Sequence, residues 1–221
     1  HHVLILEDNP YGMLGFDDVT MTPLQTFNPD GVIYLGSFSK TFAPGYRVGW
    51  ALASHAVIQR LVLANENAVL SPTKMGQLSI SEYLRTYDWM AQIKSYRSMY
   101  RERRDAMTGA LAKYLPQCSW NVPEGGFYTW VKVPDGIDAK AMLPRATTNL
   151  VAYVSGTAFY ADGQGRDHMR LSFCYPTPER IKEGVRRLST VLEAELDTVQ
   201  MFGNPNRHTN SGVETPNSNL R

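Results

Sequence analysis

The chain has 221 residues, 43% of them hydrophobic and 11% aromatic, with a formal net charge of +1. That is enough for one large or two small domains with packed cores, and the charge balance gives no reason to expect a nucleic-acid or membrane surface. Its two cysteines, Cys118 and Cys174, lie far apart, which excludes a disulfide scaffold and points to reduced thiols in a cytoplasmic protein. No run of 18 apolar residues is present, and the start has no signal-peptide layout.

Residues 3–7 form a continuous apolar run of the kind buried in parallel sheets. The run ends in Asp8-Asn9-Pro10-Tyr11-Gly12, with Asp8 at the strand's C-terminal end. Ligands sit at that edge in open α/β sheets, although an aspartate there also serves as a plain turn cap. Residues 12–30 read as loop. A strand over 31–37 then runs into Ser37, Ser39 and Lys40, a Pro44-Gly45 turn follows, and Arg47 precedes another apolar strand over 48–53. Lysine forms a Schiff base only as the free amine, a form favoured by burial beside another cation. Serine hydroxyls and a guanidinium suit a phosphate dianion. The plain alternative is a hairpin-like turn with a solvated lysine and arginine.

Ser54 is placed to cap a helix reaching about residue 70, with Val57, Ile58, Leu61 and Val62 on one face. A second helix covers 73–87. A long amphipathic helix starts at Asp88 and ends near Pro116, with Trp89, Ile93, Tyr96, Tyr100, Met107, Leu111 and Tyr114 on its apolar stripe. Its cations Arg97, Arg101, Arg103 and Arg104 read as a solvated face interspersed with acids rather than as a nucleic-acid patch. From Cys118 the pattern becomes α+β: a strand over 127–133, a helix over 137–146 and a short strand over 150–154. A Gly-rich stretch over 161–166, a strand over 168–175 and a helix from Thr177-Pro178 to about 196–199 follow. Residues 200–221 are polar and Asn-rich, the composition of a disordered tail. Within Met169-Arg170-Leu171-Ser172-Phe173, Arg170 interrupts an apolar strand and needs a counter-charge, either an internal carboxylate or a ligand. Arg166, in the Gly-rich loop, is the weaker candidate for ligand binding. The five histidines have neither spacing nor partners for a metal site, and no metal is expected.

Ser37-Phe38-Ser39-Lys40 followed by Arg47, together with Asp8-x-x-Tyr11 and Arg170-Leu-Ser-Phe173, resembles the class I/II (fold type I) aminotransferases. Within that family it is most similar to the aminoadipate and kynurenine aminotransferase branch. The resemblance runs from about residue 3 to 192. It implies an α/β fold: residues 1–87 as the C-terminal part of the large cofactor-binding domain, 88–116 as a connecting helix and 117–199 as a small α+β domain. It implies pyridoxal 5'-phosphate as cofactor, Lys40 as its Schiff-base and proton-transfer residue, Asp8 at the pyridine nitrogen and Tyr11 at the phenolic oxygen. Ser37, Ser39 and Arg47 would hold the phosphate, and Arg170 the substrate α-carboxylate. The implied reaction moves an amino group between an L-amino acid and a 2-oxo acid, in a homodimer.

Complete members carry nearly as much chain again before this strand, including a glycine-containing phosphate turn, a ring-stacking aromatic and an asparagine at the phenolic oxygen. The N-terminus therefore reads as a cut through a longer protein, with an unpaired sheet edge and weak cofactor binding by the piece alone. Val154-Ser155-Gly156 departs from the family, in which proline usually precedes the glycine. The same half also occurs in MocR-type transcription regulators, the alternative function, which would bring nucleic acid through an upstream winged helix. A pyridoxal lyase or synthase on the same scaffold is a third reading.

Overall fold

The computed structural model describes residues 3–17 and 21–203. The chain divides into two compact units, one of residues 1–102 with 123–126 and the other of residues 103–122 with 127–221.

The first unit holds a three-stranded sheet of β1 (Ile5–Asp8), β2 (Val32–Ser37) and β3 (Gly49–Leu52), in that order. β1 runs parallel to β2 with Asp8 beside Leu35, and β2 runs antiparallel to β3 with Ser37 beside Gly49. Three helices follow: α1 (His55–Val69), α2 (Lys74–Thr86) and α3 (Trp89–Tyr114), the last crossing from this unit into the second. The Thr73 hydroxyl caps α2 by accepting from Gly76 N at 3.2 Å, whereas Ser54 occupies the cap position of α1 without a side-chain hydrogen bond. A Gly15–Gly125 bridge and the Phe16 N donation to Glu124 O tie segment 123–126 into this unit.

The structure corrects two expectations in this unit and its long helix. β1 is parallel as expected but not buried: Ile5 is 47% and Leu6 63% exposed. Its apolar run gives the strand, while its cover depends on neighbours, and among the described residues β1 has a partner strand on one side only. α1 likewise buries none of its residues. The Arg97–Arg104 run is also no solvated face. Arg97 Nε donates to Met13 O at 2.8 Å, Arg101 pairs with Asp17 at 3.1 Å, Arg103 donates to Cys174 O, and Arg104, 9% exposed, pairs with Asp105 at 2.8 Å. Each guanidinium is fastened to an acceptor, which burial demands at Arg104, while Arg101 remains exposed.

The second unit is an antiparallel sheet in the order β4-β5-β7-β6, with β4 Ser119–Trp120, β5 Tyr128–Lys132, β6 Val154–Ser155 and β7 His168–Ser172. It is joined by α4 (Ala139–Thr148) and α5 (Pro178–Phe202). Thr129, Val131, Met169 and Leu171 point to one face and are buried, as are Met142 and Ala146 of α4 and Ile181, Val185, Leu188 and Leu192 of α5. Each large apolar side chain so buried contributes about 1.5–3 kcal/mol. Thr177 caps α5 with Pro178 at its first position, and Arg145 of α4 reaches Glu195 of α5 at 2.7 Å.

The strand expected over 150–154 shrinks to Val154–Ser155. Leu150 N bonds Thr147 O, Val151 N bonds Ala146 O, and Leu150 sits at φ +60°, which together form a Schellman closure of α4. That closure uses the residues that would have extended the strand. Ser155 has φ −60° in the extended region, and its Oγ accepts from Thr157 N. The terminal helix continues to Phe202 with Gly203 at its cap, so residues 200–202 are helical rather than tail; residues 204–221 of the expected tail lie outside the described residues.

Candidate active site

β2 delivers Ser37 to the sheet edge, and the next residues close one helical turn. Phe42 N donates to Phe38 O at 2.8 Å and Ala43 N to the same oxygen at 3.1 Å. Ser37 Oγ accepts from Ser39 N at 3.1 Å, and the buried Thr41 hydroxyl reaches back to Ser37 O. Phe38 and Phe42, four residues apart, therefore share one side of the turn, and Lys40 between them falls on the other. Phe38 meets Trp50 and Trp89, with ring centroids at 4.7 and 5.8 Å; Phe42 meets Tyr83 and Tyr46 at 4.9 and 5.1 Å. These aromatic anchors hold the lysine turn against α2 and the start of α3. Sequence reasoning misses them, although the four-residue spacing of two phenylalanines around a lysine is the signal that would have found them.

The other candidates of this unit reach the same sheet edge. Asp8 ends β1, parallel to β2, and Tyr11 lies in the turn just beyond, where Leu14 N donates to Tyr11 O at 2.8 Å. Arg47 stands shortly before β3, whose first residue, Gly49, pairs with Ser37. An alanine at Gly49 would place its Cβ 2.9 Å from Gly36 O. Arg47 adopts the left-handed conformation, φ 54° and ψ 39°, at the end of the Pro44–Tyr46 turn. For a non-glycine residue this costs on the order of 1–2 kcal/mol, a strain concentrated at functional sites. Among the described residues, the side chains of Asp8, Lys40 and Arg47 form no ion pair or hydrogen bond within the chain. Two cations that pair with no internal carboxylate, together with two hydroxyls, are a donor set that fits a phosphate dianion.

Arg170 lies in the second unit, in β7 between buried Met169 and Leu171, opposite Trp130 of β5 and Val154 of β6. Among the described residues it has no carboxylate partner, and its Nε is buried without an acceptor. Its guanidinium carbon instead lies over the Tyr128 ring at 4.0 Å and the Phe159 ring at 4.7 Å. An internal ion pair, one of the two readings left open by the sequence, is therefore not formed among these residues. The competitor Arg166 is committed elsewhere: its Nη1 pairs with Asp138 Oδ2 at 2.6 Å.

Burial pushes the Cys118 thiol up to about 11, and burial, then Glu7, raises the Tyr34 phenol. No cluster of His, Cys, Asp or Glu among the described residues has the makings of a metal site, and no described helix is long and apolar enough to cross a membrane.

A family model described as aminotransferase class I and II matches residues 1–188. The aromatic-amino-acid aminotransferase 1 of Thermococcus litoralis is 38% identical over 195 residues, covering 87% of this chain and 47% of that protein. The crystal structure of the α-aminoadipate aminotransferase LysN from Thermus thermophilus, complexed with N-(5'-phosphopyridoxyl)-L-leucine, gives a TM-score of 0.84 at 35% identity, covering 89% of this chain and 51% of that one. The uncharacterized HTH-type transcriptional regulator YdfD of Bacillus subtilis is 29% identical over 191 residues, covering 86% of this chain and 39% of that protein. The chain spans about half the length of the aminotransferases it matches.

Proposed function

The chain belongs to the aminotransferase class I and II family, with the α/β fold of the fold type I enzymes, and from that premise we propose that it carries the catalytic half of an amino-acid:2-oxo-acid aminotransferase. The observation that carries this reading is that Lys40, Arg47 and Arg170 have no counter-ion among the described residues. Arg170, with its Nε buried and without an acceptor, calls for an anion from outside, while half-buried Lys40 and exposed Arg47 stand available for a second one; an amino acid with a phosphate-bearing cofactor supplies both. Residues 1–87 then serve as the C-terminal part of the large domain, 88–116 as the connecting helix and 117–199 as the small domain. A homodimer in the cytoplasm is the setting we propose.

Pyridoxal 5'-phosphate is the cofactor of the family, and when bound it supplies an electron-accepting ring for charge released at the substrate α-carbon. Ser37, Ser39 and Arg47 would hold its phosphate, and Asp8 would accept a hydrogen bond from its ring nitrogen. The Tyr11 hydroxyl would donate to its phenolic oxygen. Lys40 Nζ would hold it covalently, and as a free amine would take the proton from the substrate α-carbon as general base and return it as general acid. Arg170 grips the α-carboxylate through two parallel N–H donors, which fixes the direction in which the α-hydrogen points.

In the protein at its natural length, Lys40→Ala is expected to abolish the absorbance band of lysine-bound cofactor and the transfer of amino groups to 2-oxoglutarate. Persistence of the same band in that variant removes the basis of the assignment. A regulator remains the second reading because of the similarity to YdfD; cofactor binding without transfer to any 2-oxo acid, together with DNA binding, would select it.

A further inference from the structure

Arg170 presents a physical problem that the proposed activity leaves open. A guanidinium in a strand whose neighbours are buried is ordinarily oriented by an acid, yet among the described residues none pairs with it. Its surroundings are aromatic. Tyr128 and Trp130 alternate along β5 and so share a sheet face; Trp130 stands directly opposite Arg170, and Tyr128 opposite Ser172. Phe159 comes to the same place from the end of the Gly156–Ala158 turn, its N–H bonded to Gly156 O at 2.8 Å. Its ring is braced edge-on by Trp130, centroids 5.2 Å apart at 86°, and Trp130 is stacked in turn on His168 at 5.5 Å and 20°.

We infer that Tyr128 and Phe159 are positioning residues: their rings hold the Arg170 guanidinium in place of an internal counter-ion and set its direction toward the substrate carboxylate. This role rests on Arg170 being the carboxylate-binding residue of the proposed aminotransferase. An aromatic ring attracts a guanidinium through its quadrupole without consuming an N–H donor. A carboxylate holding the same group would occupy the donors that a substrate needs. The pair of rings therefore orients the fork without consuming any of its N–H donors, and the buried Nε–H is left without an internal acceptor. The bracing by Trp130 and His168 extends the support from Phe159 to the sheet.

The test uses the ¹⁵N-labelled 221-residue chain with 2-oxoglutarate as the probe. In the free protein, the Arg170 Nε–Hε proton should be displaced upfield by the two ring currents, and 2-oxoglutarate should shift it further. Tyr128→Leu and Phe159→Leu are expected to remove the upfield displacement and weaken 2-oxoglutarate binding roughly tenfold each. Tyr128→Phe and Phe159→Trp, which keep a ring, should restore both, and this guards against a merely misfolded leucine variant. In the cofactor-loaded protein at its natural length, the leucine variants should raise KM and also lower kcat, because the carboxylate that Arg170 holds sets the direction of the α-hydrogen. If Arg170→Gln abolishes binding while the leucine variants bind normally, the positioning role is overturned and the carboxylate role of Arg170 stands. If Arg170→Gln binds as the parent does, or the Arg170 signal does not respond to 2-oxoglutarate, both fall.

Discussion

Gly156 allows the support of the Phe159 turn to be tested by the smallest possible change. An alanine Cβ there would lie 2.3 Å from Gly165 O, 2.8 Å from His168 Cβ and 2.9 Å from His168 O. Two of these atoms are backbone carbonyl oxygens, so no flexible side chain can give way, and the 161–167 loop or the turn carrying Phe159 must move. Overpacking of this kind costs about 1–3 kcal/mol. The contact also disturbs the His168 N donation to Gly165 O at 3.1 Å, worth about 0.5–1.5 kcal/mol net. Together these give about 1.5–4.5 kcal/mol, a fall in Tm of about 3–18 °C for a chain of this size. Gly184 is the matched control. It lies inside α5, an added Cβ meets nothing within 4 Å, and neither glycine has a positive φ. Gly184→Ala should therefore stabilise by about 0.5–1 kcal/mol through helix propensity alone. Thermal unfolding followed by circular dichroism reads both. If Gly156→Ala melts within about 1 °C of the parent, or both variants shift Tm in the same direction by similar amounts, the steric reasoning is refuted.

Asp138 combines two duties that can be separated. Its Oδ1 accepts from Lys140 N at 2.8 Å and Ala141 N at 3.1 Å, capping α4, while its Oδ2 takes Arg166 at 2.6 Å. Asp138→Ala is expected to cost about 1–2 kcal/mol, mostly the cap, and Asp138→Asn less, because the Arg166 end of the pair is largely exposed. An asparagine variant as unstable as the alanine one in urea titrations would reverse that ranking. Glu183 supplies the pH dependence: hydrogen bonds from Arg186, then Arg187, lower its carboxyl from the usual value of 4.5 to about 2. A carboxylate whose folded pKa is depressed stabilises above its unfolded pKa and loses that contribution as pH falls through the folded one. The stability difference between the parent and Glu183→Gln should thus be present at about pH 6 and shrink between about pH 4.5 and 2. The pair is solvent-exposed and screened, so the difference should be small and smaller still in about 1 M salt. A difference independent of pH would show that the carboxylate charge is not its source.

The candidate site was legible where chemistry is carried by neighbours in sequence, and illegible where it depends on what packs from elsewhere. Ser37, Ser39, Lys40 and Arg47 lie close together along the chain, so a strand end and one turn suffice to bring them to one edge, and Asp8 joins them through a single parallel pairing. Arg170 was legible as a charge out of place in an apolar strand, but the sequence left internal and external partners open because a carboxylate can come from any distance along the chain. The same limit explains the arginine run of α3: Met13 O and Cys174 O, which take up Arg97 and Arg103, lie 84 and 71 residues away. Periodicity marked α1 as amphipathic and β1 as a strand, yet it measures which face is apolar and not whether anything covers it. Leu150 and Arg47 show the remaining blind spot. Both take left-handed conformations without glycine or asparagine to announce them, one because it closes α4 by a Schellman pair and the other at the junction into β3. Local preference there yields to tertiary constraint, and at Arg47 the strained residue is the one whose guanidinium, unpaired among the described residues, stands at the edge shared with Lys40.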